Sequence, residues 1–230
     1  MTGSTQKVLQ QIRKELKEAA GQKEKLKGSG WLATSIVRGI SNKYYHAVKH
    51  LDKDNISNLC DTLLESGNWT ERAIAFDWAF RCRKQYEVND FIRFEYWLNK
   101  YVINWGGCDD LCVHAFGALI FKYPELIPNV MKWTGSINRW FRRAAAVVLI
   151  YSVRRGKHLD TAFQIADQLL TDGDDLVQKG YGWMLKEVSR QAPGRVFDYV
   201  MEHRNVMPRT SLRYAIEKLE SRLRKLAMQK

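Results

Sequence analysis

Lys179-Gly-Tyr-Gly-Trp-Met-Leu185 lines up with three other stretches: Arg72-Ala-Ile-Ala-Phe-Asp-Trp78, Arg143-Ala-Ala-Ala-Val-Val-Leu149 and Arg213-Tyr-Ala-Ile-Glu-Lys-Leu219. Their leading cations lie 71, 36 and 34 residues apart. The first step is two periods, so a unit is missing near position 107, where the chain reads Trp105-Gly-Gly-Cys-Asp109-Asp110-Leu111. A period of this length in a helical sequence predicts stacked helix pairs of the HEAT, armadillo or TPR kind. Equivalent positions in such a stack line one face. The expected fold is therefore an all-α solenoid with a concave basic face, interrupted by one carboxylate. A basic row suits a phosphate backbone, and a lone acid within it suits chemistry on what is bound.

Composition agrees with a polyanionic partner. The 230 residues carry a formal charge of +12, with an isoelectric point near 9.6. Residues 201–230 hold eight Lys/Arg against three Glu, and residues 139–157 hold six without an acid. Nucleic acid fits this excess better than a membrane surface, because no segment is both strongly amphipathic and free of acids on its polar face. A basic face kept for solubility is the plain alternative. No run of 18 apolar residues suggests a membrane span. Val8-Leu9 is followed at once by Gln-Gln-Ile-Arg-Lys, so no apolar signal core is read there, and a cytoplasmic protein, nucleoid-associated when on DNA, is expected. Cys60, Cys82, Cys108 and Cys112 form no Cys-x-x-Cys pair. Cys108 and Cys112 with His114, or His46 with His50, lack the further ligands a metal needs, so no metal or other cofactor is expected.

Almost every stretch reads as amphipathic helix. A single domain over 1–230 is expected, with 1–30 a charged helix (about 4–20) and a mobile loop from Gly21 to Gly30. Further helices are predicted at 31–38, 42–51, 55–66, 69–86, 88–102, 108–122, 124–133, 138–155, 159–171, 174–191, 193–203 and 209–227. Pro124 and Pro193 suit first turns. Ser41 and Asp54 suit N-caps, and Gly156 a helix end.

Asp109 has two readings. At the start of a helix, an Asp is a good N-cap. Within a cationic row, it is a candidate for chemistry. Asp110 competes for either role. Trp105 and Trp183 both fall by the repeat position. Trp183 lies one turn after Lys179, so the two share a face. Either Trp is core, or it packs against sugars or bases.

Trp-x-x-x-Asp, an Arg-Ala-Ala helix, then Lys-x-x-Gly-Trp-x-Leu-[Lys/Arg]-Glu resembles the AlkD-type DNA glycosylases of the DNA alkylation repair family. The resemblance runs from about Trp69 to Ala215 and includes Phe121-Lys-Tyr-Pro-Glu-Leu-Ile127, Arg142-Arg-Ala-Ala145 and Gln178-Lys-Gly-Tyr-Gly-Trp-Met-Leu-Lys-Glu187. The N-terminal third matches loosely, around Arg38-Gly-Ile-Ser41. The resemblance implies HEAT-like repeats that hold duplex DNA, and a 3-methyladenine/7-methylguanine type of glycosylase that hydrolyses the N-glycosidic bond of cationic N3- or N7-alkylated purines. It puts Asp109 on the catalytic carboxylate, Trp105 and Trp183 on the tryptophans beside the lesion's sugar, and Arg143 on a DNA-contacting arginine. Two departures stand out. Gly106 replaces an acid, and the family's N-terminal tyrosine has no clear counterpart, Trp31 and Tyr44 being only neighbours of that region.

The basic row itself gives the expected DNA contacts: Arg72, Arg142, Arg143, Lys179, Arg209 and Arg213. The expected partner of a monomeric protein is double-stranded DNA with alkylated bases. Two alternatives are a non-catalytic relative that binds branched or distorted DNA, and a scaffold for RNA or an acidic protein. Asp109 counts against the scaffold, which needs no acid in its row.

Overall fold

The computed structural model describes residues 3–27 and 32–229. Among these the regular elements are all helical, with no strand. Two compact units divide the chain, Met1–Tyr86 and Glu87–Lys230.

The first unit holds α1 (Gly3–Lys27), α2 (Thr34–Val48), α3 (Lys53–Leu64) and α4 (Trp69–Arg81). α4 packs on α2 and α3, and α1 packs on both as well. Leu59, Leu63, Ile74, Phe76 and Trp78 are fully buried between them. α1 runs through Gly21 to Lys27, where a loop was expected. Gly21 costs a helix interior only about 1 kcal/mol relative to Ala, and the Gln-Lys-Glu-Lys run after it favours helix. Gly28 to Gly30 and Trp31 lie outside the described residues. Ser41 is also not a cap. It sits inside α2, where its hydroxyl donates to Asp77 Oδ2 at 2.5 Å. Asp52, not Asp54, caps α3 by accepting from the Asn55 amide at 2.7 Å.

The second unit runs through α5 (Asp90–Tyr101), α6 (Trp105–Asp110), a π-helical turn (Leu111–Phe116), α7 (Gly117–Lys122), α8 (Ile127–Lys132), α9 (Arg139–Val147), α10 (Ile150–Val153), α11 (Leu159–Gln168), α12 (Asp175–Val188), α13 (Pro193–His203), α14 (Arg209–Ala215) and α15 (Ser221–Met228). The long helices expected at 108–122, 138–155 and 209–227 are each broken. Pro193 opens α13 as expected, and Pro124 opens a short 3-10 turn. Gly156 follows α10 with a φ of 71°. Phe91, Phe94, Phe116, Trp133 and Phe141 meet with ring centroids 5.2–5.7 Å apart in one aromatic core. Each of the four buried rings, Phe91, Phe94, Phe116 and Trp133, contributes roughly 1.5–3 kcal/mol by burial.

The repeat has a structural marker at its caps. Asn68, Asn104, Asn138 and Asp174 each accept a backbone N–H with the side chain, starting α4, α6, α9 and α12. Pro208 holds the equivalent position before α14, without a side-chain cap. The spacing stays at 34 or 36 residues throughout. No unit is missing near 107, because α6 is that unit. In the second unit α6 packs on α9, α9 on α12, and α12 on α14.

Two glycines set how closely the helices of this series approach. A Cβ on Gly182 would lie 2.8 Å from Tyr214 Cβ and 2.9 Å from the Ser211 carbonyl oxygen on α14. Backbone cannot yield as a side-chain tip can. Gly182→Ala should therefore cost about 1–3 kcal/mol by overpacking. Thermal denaturation against Gly135→Ala, where nothing lies within 4 Å, checks this: equal melting temperatures for the two variants would refute the close contact.

Candidate active site and basic cleft

Counting from the caps puts the site in register. Asp109, Arg143, Lys179 and Arg213 each lie five residues after their cap, so they are equivalent. Arg72 lies four after Asn68, about 100° round its helix from that position. It is buried in the first unit. Asp109 is itself no N-cap. Asn104 does that work by accepting from the Gly107 amide at 2.9 Å. Asp109 falls in the last turn of α6, just before the π-helical turn, a widening often found at functional sites.

Asp109 and Arg143 come together as a fork. Arg143 Nε donates to Asp109 Oδ1 and Nη2 to Oδ2, both at 2.8 Å. Nη1 donates to the Leu176 carbonyl. The side chains are only 17% and 6% exposed. Burial pushes the Asp109 carboxyl above its usual range, against the hydrogen bond and charge of Arg143. Burial works against the Arg143 charge too, but Asp109 outweighs it and holds the guanidinium above its ordinary value. Gly180 makes room for this arginine, since a Cβ there would lie 3.1 Å from Arg143 Cγ. The Gly-Tyr-Gly of α12 thus has two separate uses, Gly180 against Arg143 and Gly182 against α14.

Trp105 lies one turn before Asp109 and is 60% exposed, unlike the fully buried Trp78 and Trp97. Trp183 is half-buried on α12. Its indole N–H donates to Glu187 Oε1 at 3.1 Å, and Arg154 lies over its ring at 5.9 Å. Glu187 also takes Arg154 at 3.0 Å and Arg190 at 3.1 Å. Burial alone would raise its carboxyl, but hydrogen bonds from Arg154 and Trp183 and the charges of both arginines hold it below the usual range. No single motif in the sequence marks this support for Trp183. The signal was the repeated Trp-x-x-x-acid spacing, Trp105/Asp109 and Trp183/Glu187. Glu187→Ala would leave the Trp183 indole N–H without its acceptor, while Arg154 and Arg190, 41% and 51% exposed, keep their hydration. It should destabilise the protein by about 1–2 kcal/mol, read as a lowered denaturant midpoint; an unchanged midpoint would contradict the role of Glu187 as a buried acceptor.

The expected DNA-contacting cations divide by environment. Arg142 braces the fold: its Nε pairs with Asp172 at 2.7 Å and its Nη1 donates to the Ser136 and Ile137 carbonyls. Lys179, Arg209 and Arg213 instead line one open cleft of about 600 Å³, with Asp175, Thr210, Tyr214 and Glu217. Lys179 is held by Asp175 at 2.5 Å, and that hydrogen bond raises its ammonium above the ordinary value. All four cysteines are buried thiols outside any disulfide. Among the described residues no three His, Cys, Asp or Glu side chains converge as a metal site would need. Among them, too, no helix is long and apolar enough to cross a membrane.

The chain belongs to the DNA alkylation repair enzyme family, whose sequence profile matches residues 5–219. A solved structure, a predicted DNA alkylation repair enzyme from Enterococcus faecalis, is similar in fold with a TM-score of 0.74. The two are 16% identical, and the match covers 88% of this chain and 95% of that one. No curated protein matches the chain.

Proposed function

We propose that this protein is a DNA glycosylase that hydrolyses the N-glycosidic bond of N3- or N7-alkylated purines in duplex DNA. The observation that carries the reading is Asp109, a carboxylate at the position its neighbouring units give to cations, gripped by Arg143 in a chain of an alkylation repair family. In this reading α6, α9, α12 and α14 form the concave face of a single HEAT-like stack, and DNA lies along it.

The alkylated purine is already a cation, so it leaves as a neutral base without a general acid. The C1′–N bond breaks and its electron pair goes to the purine. Positive charge grows on the sugar, and the Asp109 carboxylate stabilises it. Water adds to C1′, and its proton passes to Asp109 or to solvent. The exposed ring of Trp105 attracts the same growing cation through its quadrupole, and Trp183 adds a second face. Arg143 orients the carboxylate and keeps it ionised. Methylated duplex DNA should yield free methylpurine faster than it depurinates spontaneously; no excess release would sink the proposal.

Lys179, Arg209 and Arg213 supply phosphate contacts with little sequence preference. Three engaged phosphates predict that log affinity falls with log salt at a slope of about −2.7 or steeper. A flat response on duplex DNA would remove this role from the cleft. One observation favours a second reading, a non-catalytic member that binds distorted DNA: both Asp109 oxygens are taken by Arg143. Tight binding without base release would be its mark.

A further inference from the structure

The family profile ends at residue 219, and α15 begins at Ser221. This last helix therefore lies outside the matched residues. It packs on α13 and borders a second cleft, of about 410 Å³, lined by Arg213, Ile216, Glu217, Ser221, Arg224, Lys225 and Met228. Arg213 and Glu217 also line the cleft of Lys179 and Arg209, so the two clefts adjoin.

The charge of this second cleft is one-sided. Arg213, Arg224 and Lys225 are exposed. Its one acid, Glu217, is taken by Lys186 at 2.8 Å and Lys218 at 3.2 Å. The cleft therefore presents cations around a largely neutralised carboxylate, with the Ser221 hydroxyl as a further donor and Ile216 and Met228 as an apolar floor. A sugar-phosphate strand matches that mixture: anionic oxygens for the cations, deoxyribose carbons for the floor. The packing order α6, α9, α12, α14 puts Asp109 at one end of a series and this cleft beyond the other.

We infer that α15 and its cleft form a second phosphate track, which grips the duplex flanking the lesion and lengthens the footprint past the cleft of Lys179 and Arg209. The inference rests on the reading of duplex DNA as the partner. It adds affinity but no chemistry, because its residues are remote from Asp109 in the series.

The test is the double variant Arg224→Gln/Lys225→Gln in the full chain. Both residues are exposed, so the fold should be unaffected, as circular dichroism would check. Affinity is measured on lesion-centred duplexes of about 10 and about 30 base pairs, across a salt series. On the long duplex the variant should bind about 10-fold more weakly, with a salt slope shallower by about 1.8, the loss of two phosphate contacts. On the short duplex, and in base release at saturating DNA, it should match the parent. Unchanged affinity on the long duplex would overturn the track while leaving the glycosylase reading intact. An equal loss on both lengths would also overturn it, since the residues would then contact the lesion segment. A loss confined to vesicles containing phosphatidylserine would assign the surface to membranes instead. If the parent protein itself shows no salt-dependent duplex binding, the reading of DNA as partner fails first.

Discussion

Asp109→Asn should slow release of N7-methylguanine or N3-methyladenine by about 100-fold or more, roughly 3 kcal/mol of transition-state stabilisation. The substitution keeps the size of the side chain and removes its charge. Asparagine can still accept one hydrogen bond from Arg143, but its amide nitrogen then faces a second donor. Some stability is lost for that reason, so single-turnover rates belong well below the melting temperature of the variant. Duplex affinity should stay equal or rise, because a negative charge facing phosphates is gone. A folded and fully active Asp109→Asn protein would move the chemistry to Asp110 or elsewhere. The N-cap alternative no longer explains a loss of activity, since Asn104 starts α6.

Arg143→Ala should have the largest effect on stability. It leaves the Asp109 carboxylate buried without its two donors and the Leu176 carbonyl without one. Breaking a buried pair in this way costs about 3–5 kcal/mol, or a fall in melting temperature of roughly 10 °C for a chain of this size. The pH dependence has a definite sign. Burial already holds the Asp109 carboxyl above the ordinary range, and Arg143 restrains that rise. Activity needs the carboxylate, so base release should fall as pH drops through the raised value. Between the ordinary and raised values the folded state binds the extra proton, so the Asp109 contribution to stability declines as pH rises through that window. Arg143→Lys keeps a charge but not the fork. It should shift the acid limb of the rate profile to higher pH, and Arg143→Ala should shift it further. An acid limb that does not move in either variant would separate the arginine from the carboxylate's ionisation.

The helical class was legible in the amphipathic patterning, and the period in the cations, since Arg143, Lys179 and Arg213 each fall five residues after the start position of their helix. The candidate site rests on the same series: Asp109 breaks it, and Trp105 stands one turn before it. What misled was the choice of marker. Arg72 opens the row in the sequence alignment, yet it sits one residue out of register with Arg143, Lys179 and Arg213. The caps Asn68, Asn104, Asn138 and Asp174 keep the period through α6, which is the unit that the cations skip. Ser41 misled because a residue with good capping chemistry can equally serve inside a helix when a neighbour such as Asp77 accepts its hydroxyl. The end of α1 misled because one glycine among strong helix formers is a weak stop. The fork of Asp109 with Arg143 joins residues 34 positions apart, and the pair of Arg154 with Glu187 joins residues 33 apart. Local pattern does not pair such residues; only the stacking of neighbouring units does.

The most direct test of the central claim follows both products from a duplex carrying one N7-methylguanine. A glycosylase using water at C1′ should give free 7-methylguanine and an intact abasic strand in equal amounts, well above spontaneous depurination, and Asp109→Asn should suppress both together. Saturated binding by the parent protein with no free base above the spontaneous rate would contradict the account.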